Sequence, residues 1–566
     1  MKGMLPTLPQ IWLRPLVLLG LGLWTLISYS PALQGPFFFD DEHFIVRNEM
    51  VHSLDHVAAI YSSAVTDGAS IKGNFYRPNQ QLIYALLYRL VGTKTSVPYH
   101  LLQVALHIGA GYSLFFICLN LGLGLVPAAF GAAVFLLHPV QTEAVAYISG
   151  LADPLAAFFG LAALAMATRW LWGSAIKNWL AFSIVQSALL VLALFSKENA
   201  VVFGPMIMLL MVASAFAHPQ GASGHSNMKV RLWMVRERSQ LGAVAVAMLL
   251  SCLWVILKVT VFKFGDAIGL TSEVNAYTQS LGLRLTTYVC VLWDYAKLIV
   301  WPSELFYEKP YRAYADLWTA RGIFGLGCLG VAAAGLAQMR RWPRLSLSLG
   351  WFFAAMMPFV GVIPLNSIFL EHWLYMPMIG LALGLALVFN RSWGPSAGDA
   401  CTRRRLATLG IGLTLLVAAS IRTYARAGEW ADVEAFYLGE LRYAPDSGRI
   451  YNNLGMYYAD RHDEVKAIRY YQLAASSPTG RIYAQPHHNL AIALLNAGRQ
   501  GEAIDQIRIA LRIDPGFVYS LHLLHSVFAA AHDEIKLAAL EAALRQLQST
   551  GTYDVAAFVA VAFGPE

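Results

Sequence analysis

PLVLLGLGLWTLISYSPAL, residues 15–33, decides the fold. This apolar run is long enough, at 1.5 Å per helical residue, to cross a hydrocarbon core of roughly 30 Å. Lys2 and Arg14 lie ahead of it, and no small-residue cleavage site precedes the Gly35-Pro36 turn. The segment therefore reads as an uncleaved signal anchor. Similar runs recur near residues 100–120, 125–147, 153–172, 179–196, 199–217, 241–263, 320–339, 345–365, 373–390 and 406–424. With the first, they make about eleven spans and predict an all-α, polytopic membrane protein. Residues 280–302 fail the same test, because Arg284, Asp294 and Lys297 leave only a short uncharged interval between them. That stretch reads as an amphipathic helix on the outer surface or a re-entrant segment.

Composition agrees with this class: 57% of residues are hydrophobic and 13% charged, with a mean hydropathy of +0.51. The net charge of +7 is spread over short clusters between apolar runs, where it sets topology and argues against nucleic-acid binding. Cys118, Cys252, Cys290, Cys328 and Cys401 stand singly, without the spacing of a disulfide frame or zinc site. The basic clusters at Lys229/Arg231/Arg236/Arg238, Arg340/Arg341/Arg344 and Arg403/Arg404/Arg405 all face the cytoplasm if 280–302 is not a crossing. The amino terminus is then cytoplasmic, and the loop 35–98 and the tail after Thr423 are external.

The loop opens with FDDEHFIVRN, residues 39–48, which places Asp40 and Asp41 just past the first span. An acidic pair alone is commonly a solvated turn. Other polar residues, however, recur where spans emerge on the same side: Arg77 closes the loop, His100 and His107 share one helix face, and His138 and Glu143 end the third span. Asp153 opens the fourth span, Lys197-Glu198 interrupts a hairpin, and Glu371-His372 begins a late span. Each has a bland reading. His107 and His138 fit a satisfied core, Lys197-Glu198 an ion pair, and Glu371 a helix N-terminal charge. Together, ionisable residues at membrane depth point to one outward-facing cavity.

After residue 426 the pattern turns amphipathic with a repeat of roughly 34 residues, the period of tetratricopeptide hairpins. Tyr451, Leu454, Gly455, Tyr458, Ala467, Tyr471 and Ala474 fill one unit. Leu490, Ala491, Leu494, Ala503, Ile507, Ala510 and Pro515 fill a second. A half unit at 430–445 and a degenerate one at 517–550 read as caps. The domains expected are thus 1–426, transmembrane, and 427–566, an extracytoplasmic solenoid that stabilises the protein or presents a substrate.

FDDEHFIVRN, NFYRPNQQLIY (74–84), HLLQVALH (100–107), HPVQTEAVAYISG (138–150), SKENAV (196–201) and EHWLYMPMIGLAL (371–383), followed by the repeats, resemble the transmembrane O-mannosyltransferases with tetratricopeptide repeats. These form a branch of the glycosyltransferase C superfamily, and the likeness covers nearly the whole chain. Two positions depart from that family: Leu151 and His372 stand where it commonly carries arginine. The resemblance implies an inverting glycosyltransferase of bacterial type. It would move mannose or another hexose from a polyprenyl-phosphate donor to serine or threonine hydroxyls of a protein lying in the repeat groove. On that reading Asp41 is the base, with Asp40 its neighbour and substitute, and mutual repulsion of the pair suits a base by raising one pKa. Either can equally orient the sugar. Lys197 and Arg77, and further out Arg47, are the cations for donor phosphate. His138, Glu143, Asp153, Glu198, Glu371, His100 and His107 fall to the sugar or acceptor pocket. Asp40, Asp41 and Asp153 have the oxygens to bind magnesium or manganese, yet this branch implies no essential metal and no other cofactor. The expected location is a bacterial inner membrane with the site in the periplasm. The competing readings are a non-enzymatic repeat scaffold and a flippase for lipid-linked sugar. The latter needs polar residues through the membrane depth, whereas these gather at one face.

Overall fold

The computed structural model describes residues 10–69, 73–172, 178–217, 227–262, 276–309, 313–363, 365, 367–393, 399–478 and 480–564, and all regular structure among them is helical. The chain divides into two compact units, Met1–Asp432 and Val433–Glu566.

Among the described residues of the first unit seven helices are long and apolar enough to cross a membrane: Leu13–Gln34, Val97–Asn120, Ile148–Trp172, Glu198–Ala217, Ser239–Thr260, Ala320–Ala337 and Cys401–Glu429. An eighth is counted if Leu125–Leu137 and Pro139–Ala146, bent by 50°, form one span. The bend has a local cause. Pro139 has no N–H to donate and disfavours the helical conformation in the residue before it, and His138 is extended. The remaining three of the eleven expected runs also carry helices, but Trp179–Leu194, Pro343–Met356 and Pro377–Ser392 have only 16, 14 and 16 residues. The apolar run continues past Met356 while the helix does not, because Pro358 follows and Gly361 turns the chain with φ +87. Pro377 likewise starts a new helix at its first position, so the run of eleven full-length spans is not reached.

Residues 280–302 form one helix, Leu281–Val300, packed along Ala320–Ala337. Arg284, whose charge argued against a span, is buried with its guanidinium donating to the carbonyls of Gly361 at 2.6 Å and Tyr277 at 3.1 Å. The two helices meet at Gly325, where a Cβ would stand 1.9 Å from the Val289 carbonyl oxygen.

The loop after the first span is not an extended tether. Short helical turns from Glu42 to Ala69 fold over a core of Phe44, Ile45, Val51, Ile60, Val65, Tyr84, Tyr99 and Ile148. Asn48 is fully buried and pins the loop, donating to Val65 O at 2.8 Å and accepting from Met50 N at 3.2 Å. Burying an amide this way is favourable only because both ends are bonded.

In the second unit, consecutive helices pack in sequence, most extensively Gly448–Ala459 on Glu464–Ser476 and Ala484–Asn496 on Gln500–Ile513. Leu454, Gly455, Tyr458, Ala467, Tyr471, Leu490, Ala491, Ala503 and Ile507 are buried between them. Gly498, at φ +73, makes the turn within the second pair.

Candidate active site

Asp41 and Asp40 have different surroundings. Asp41 is 1% exposed. Its Oδ1 accepts from Ser149 N at 2.8 Å and Ser149 Oγ at 2.5 Å, and its Oδ2 from Phe38 N at 3.2 Å. These bonds clamp a turn in which Phe39 takes the left-handed conformation, φ 61, which costs a non-glycine residue on the order of 1 kcal/mol. Burial pushes the Asp41 carboxyl up to about 7 against the pull of these hydrogen bonds. The repulsion from Asp40 expected from the sequence is a smaller contribution, below burial and the hydrogen bonds from Ser149 Oγ and Phe38. Asp40 is half-buried, and its backbone N–H donates to the Tyr147 hydroxyl at 2.9 Å. It is close enough to His43 to oppose the burial that holds that imidazole below its ordinary pKa.

Around Asp40 lies an aromatic floor. Tyr147 stacks on Trp430 with centroids 5.2 Å apart, Tyr307 meets both edge-on, and Phe39 meets Tyr307 at 4.9 Å. Beyond it are two groups of buried charge. In the first, Glu143 accepts from His372 through Nδ1 at 2.6 Å and the backbone N at 3.0 Å. Beside it Glu371, 0% exposed, accepts from Lys309 Nζ at 2.9 Å and Phe306 N at 2.6 Å. Arg426 stands 3.9 Å from the other Glu371 oxygen, bonds Glu429 at 2.5 Å and lies over the Trp430 ring.

The second group is carried by Asp153, one helical turn beyond Ser149. Its carboxylate binds Lys197 Nζ at 2.5 Å, and Lys197 is 6% exposed. Arg77 Nε donates to Glu198 at 3.0 Å, while the other Glu198 oxygen accepts from Tyr76 N at 3.1 Å. Lys258 reaches the Asn74 carbonyl at 2.5 Å and acts electrostatically on Glu198. Arg77, Lys197 and Lys258 against Asp153 and Glu198 leave one positive charge in excess, which is the sign an anion requires.

The structure thus brings Asp40, Asp41, Glu143 and Glu371 into one region, and Asp153, Lys197, Arg77 and Glu198 into another joined to it through the segment 148–153. It does not bring in the three histidines. His100 bonds Gly35 O at 3.1 Å. His107 is engaged by the Tyr375 hydroxyl at 2.7 Å and Leu136 O at 3.1 Å. His138 binds Ile299 O at 2.9 Å through Nε2, and its Nδ1 caps Val140 N at 3.3 Å. All three are fastened in the packing, and Arg47 pairs with Glu42 on the surface. Ser149, Tyr147, Lys309, Arg426, Trp430 and Lys258 were not singled out from the sequence. Of these, Lys309 and Lys258 had a signal, each being a basic residue beside a span end. Among the described residues, no three His, Cys, Asp or Glu side chains are grouped to hold a metal ion.

Fold and site together define a multi-pass helical membrane protein with mixed buried charge where its helix ends meet. No protein-family model matches the chain. It is similar to the protein O-mannosyl-transferase F38B6.6 of Caenorhabditis elegans, 25% identical over 456 residues, covering 77% of this chain and 59% of that one. It is also similar to the human protein O-mannosyl-transferase TMTC4, at 24% over 515 residues, covering 82% and 66%. A third relative is mouse protein O-mannosyl-transferase TMTC3, at 22% over 530 residues, covering 88% and 55%. The chain therefore spans between about half and two thirds of the length of these curated relatives. Among solved structures, the apo oligosaccharyltransferase of Archaeoglobus fulgidus aligns with 74% of this chain and 56% of its own. At 12% identity and a TM-score of 0.40, that likeness carries no argument.

Proposed function

We propose that this protein is an inverting glycosyltransferase that moves a hexose, mannose in the first instance, from a polyprenyl phosphate to a serine or threonine hydroxyl of a protein. The observation that carries the reading is the half-buried Asp40 on its aromatic floor, flanked by one mixed-charge group and one group with excess positive charge. The relatives named above support the reaction class. The base is Asp40, which is half-buried where Asp41 is 1% exposed. Asp41 positions the turn instead.

In the proposed step the acceptor oxygen bonds to the anomeric carbon as the bond from that carbon to the phosphate oxygen breaks, inverting the configuration. Asp40 takes the hydroxyl proton, and the phosphate leaves with the electron pair. Lys197, Arg77 and Lys258 face the charge that develops on it. The carboxylates of Asp153 and Glu198 keep those cations in place while the site is empty. Glu143, His372 and Glu371 fall on the sugar and acceptor side, and no step is routed through a metal. The second unit, read as tetratricopeptide hairpins, presents an extended acceptor peptide. The site faces the periplasm of a bacterial inner membrane.

The test is release of polyprenyl phosphate from a panel of lipid-phosphate sugars by the full chain in lipid, with acceptor extract present. Asp40→Asn should lower kcat by about 10²–10⁴ while the protein stays folded. Full turnover by that variant refutes its role. No release by the parent, with every donor turned over by a control enzyme, returns the scaffold reading.

A further inference from the structure

A second feature of the first unit is lined by none of the residues given a role in the step just described. A cavity of about 210 Å³ lies between the helices Leu281–Val300 and Ala320–Ala337 and the strand-like approach to Glu371. Asp294 and Arg321 form an ion pair on one wall, and Phe306, Phe369 and Tyr314 line others. That space admits a ligand the size of one pyranose ring.

The chemistry of the walls narrows the ligand further. The ion pair is neutral as a whole, so it offers no excess charge to a phosphate or a sugar acid. Its members are still 18% and 36% exposed. A guanidinium has five N–H donors and a carboxylate about four acceptor positions, so both keep capacity for hydroxyl groups. Aromatic faces pack against the C–H side of a sugar ring as they do against other apolar surface. An uncharged polyhydroxyl ligand with one apolar face satisfies both halves.

The cavity is also coupled to the candidate active site. Phe306 donates its backbone N–H to Glu371. The Lys309 ammonium, which pairs with Glu371, lies 3.5 Å from the Phe306 ring centroid and 5.5 Å from that of Phe369. The backbones of the two wall helices touch at Gly325, so the spacing between Asp294 and Arg321 is set by contact.

We infer that this cavity receives the hexose being transferred and reads its hydroxyls through Asp294 and Arg321, an inference that rests on the transferase reading above. The test uses the full chain in lipid nanodiscs, with polyprenyl-phosphate mannose, glucose and galactose as donors. In Asp294→Asn and Arg321→Lys, the ratio of kcat/KM between the preferred donor and its epimers should fall at least tenfold, because lost hydroxyl contacts penalise the preferred donor most. Inhibition by polyprenyl phosphate, which has no sugar, should stay within twofold. Equal scaling of all donors, or no change, overturns the inference. Phe369→Leu, which keeps the ion pair, serves if Asp294→Asn elutes as aggregate, and should weaken all three hexoses against an unchanged polyprenyl-phosphate inhibition. Binding of methyl hexosides to the purified chain, read by saturation-transfer NMR, separates the two proposals. A parent that turns over no donor yet binds a hexoside, with binding lost in Asp294→Asn, defeats the transferase reading and keeps the cavity. Hexoside binding that is absent, or equal in parent and variant, defeats the cavity.

Discussion

The ionisation of Asp41 should be visible in stability. Its folded pKa is raised from 3.8 to about 7, with burial the main cause. A carboxyl raised on folding binds its proton more tightly in the folded state. Its contribution is therefore fully present below pH 3.8 and is lost as pH rises through about 7. A shift of roughly three units at 1.36 kcal/mol each makes the loss about 4 kcal/mol, and no solvent discount applies to a side chain 1% exposed. Asp41→Asn keeps the shape and removes the titration. Parent and variant in the same nanodisc, melted at intervals from pH 4 to 8, should show the parent losing several degrees relative to the variant across that window. The difference cancels every other titrating group common to both. A parent-minus-variant difference that stays flat with pH would refute the burial argument, and a difference that grows with pH would reverse its sign.

Two further outcomes follow from buried contacts. Lys309→Met leaves the fully buried Glu371 without its 2.9 Å partner and should cost about 3–5 kcal/mol. Lys309→Met/Glu371→Gln should regain most of that in a denaturant titration, and failure to regain it would mean the ion pair is not the source of the loss. Gly325→Ala places a methyl against the Val289 carbonyl and should destabilise by about 1–3 kcal/mol. Unchanged melting would show that the two helices part freely.

The helices were legible because lipid leaves a continuous apolar mark, and each of the eleven runs carries one. Their ends were less so. Pro139, Pro358 and Pro377 lie inside apolar stretches and cut helices that hydropathy alone would run on. The candidate site was legible as residue types and not as partners. Ser149 meets Asp41 across 108 positions and Lys309 meets Glu371 across 62, distances over which no local pattern reaches. The surroundings of Asp40 and Asp41 separate through one left-handed residue, Phe39, which composition does not announce. His107 and His138, for which a satisfied core was weighed, each bond a backbone carbonyl. Tyr147, inside a quoted motif, and Trp430, at the start of a repeat half unit, were not singled out because the sequence carries no sign of what they face.

The bond between Lys197 and Asp153 also bears on how the chain is made. The two residues sit at the same end of a single helical hairpin, Ala152–Trp172 and Trp179–Leu194, and are 44 positions apart. Neither charge is tolerable alone in hydrocarbon, but the hairpin contains both. It can enter the bilayer from the insertion machinery already neutral, before the segments that supply Lys309, Arg321 and Arg426 have been synthesised. The order of translation then assembles the Asp153–Lys197 pair first and the Lys309–Glu371 pair last. A chain truncated after residue 217 and released from the ribosome into the membrane should already hold this hairpin in a protease-resistant form, and Lys197→Met should abolish that protection by stranding Asp153.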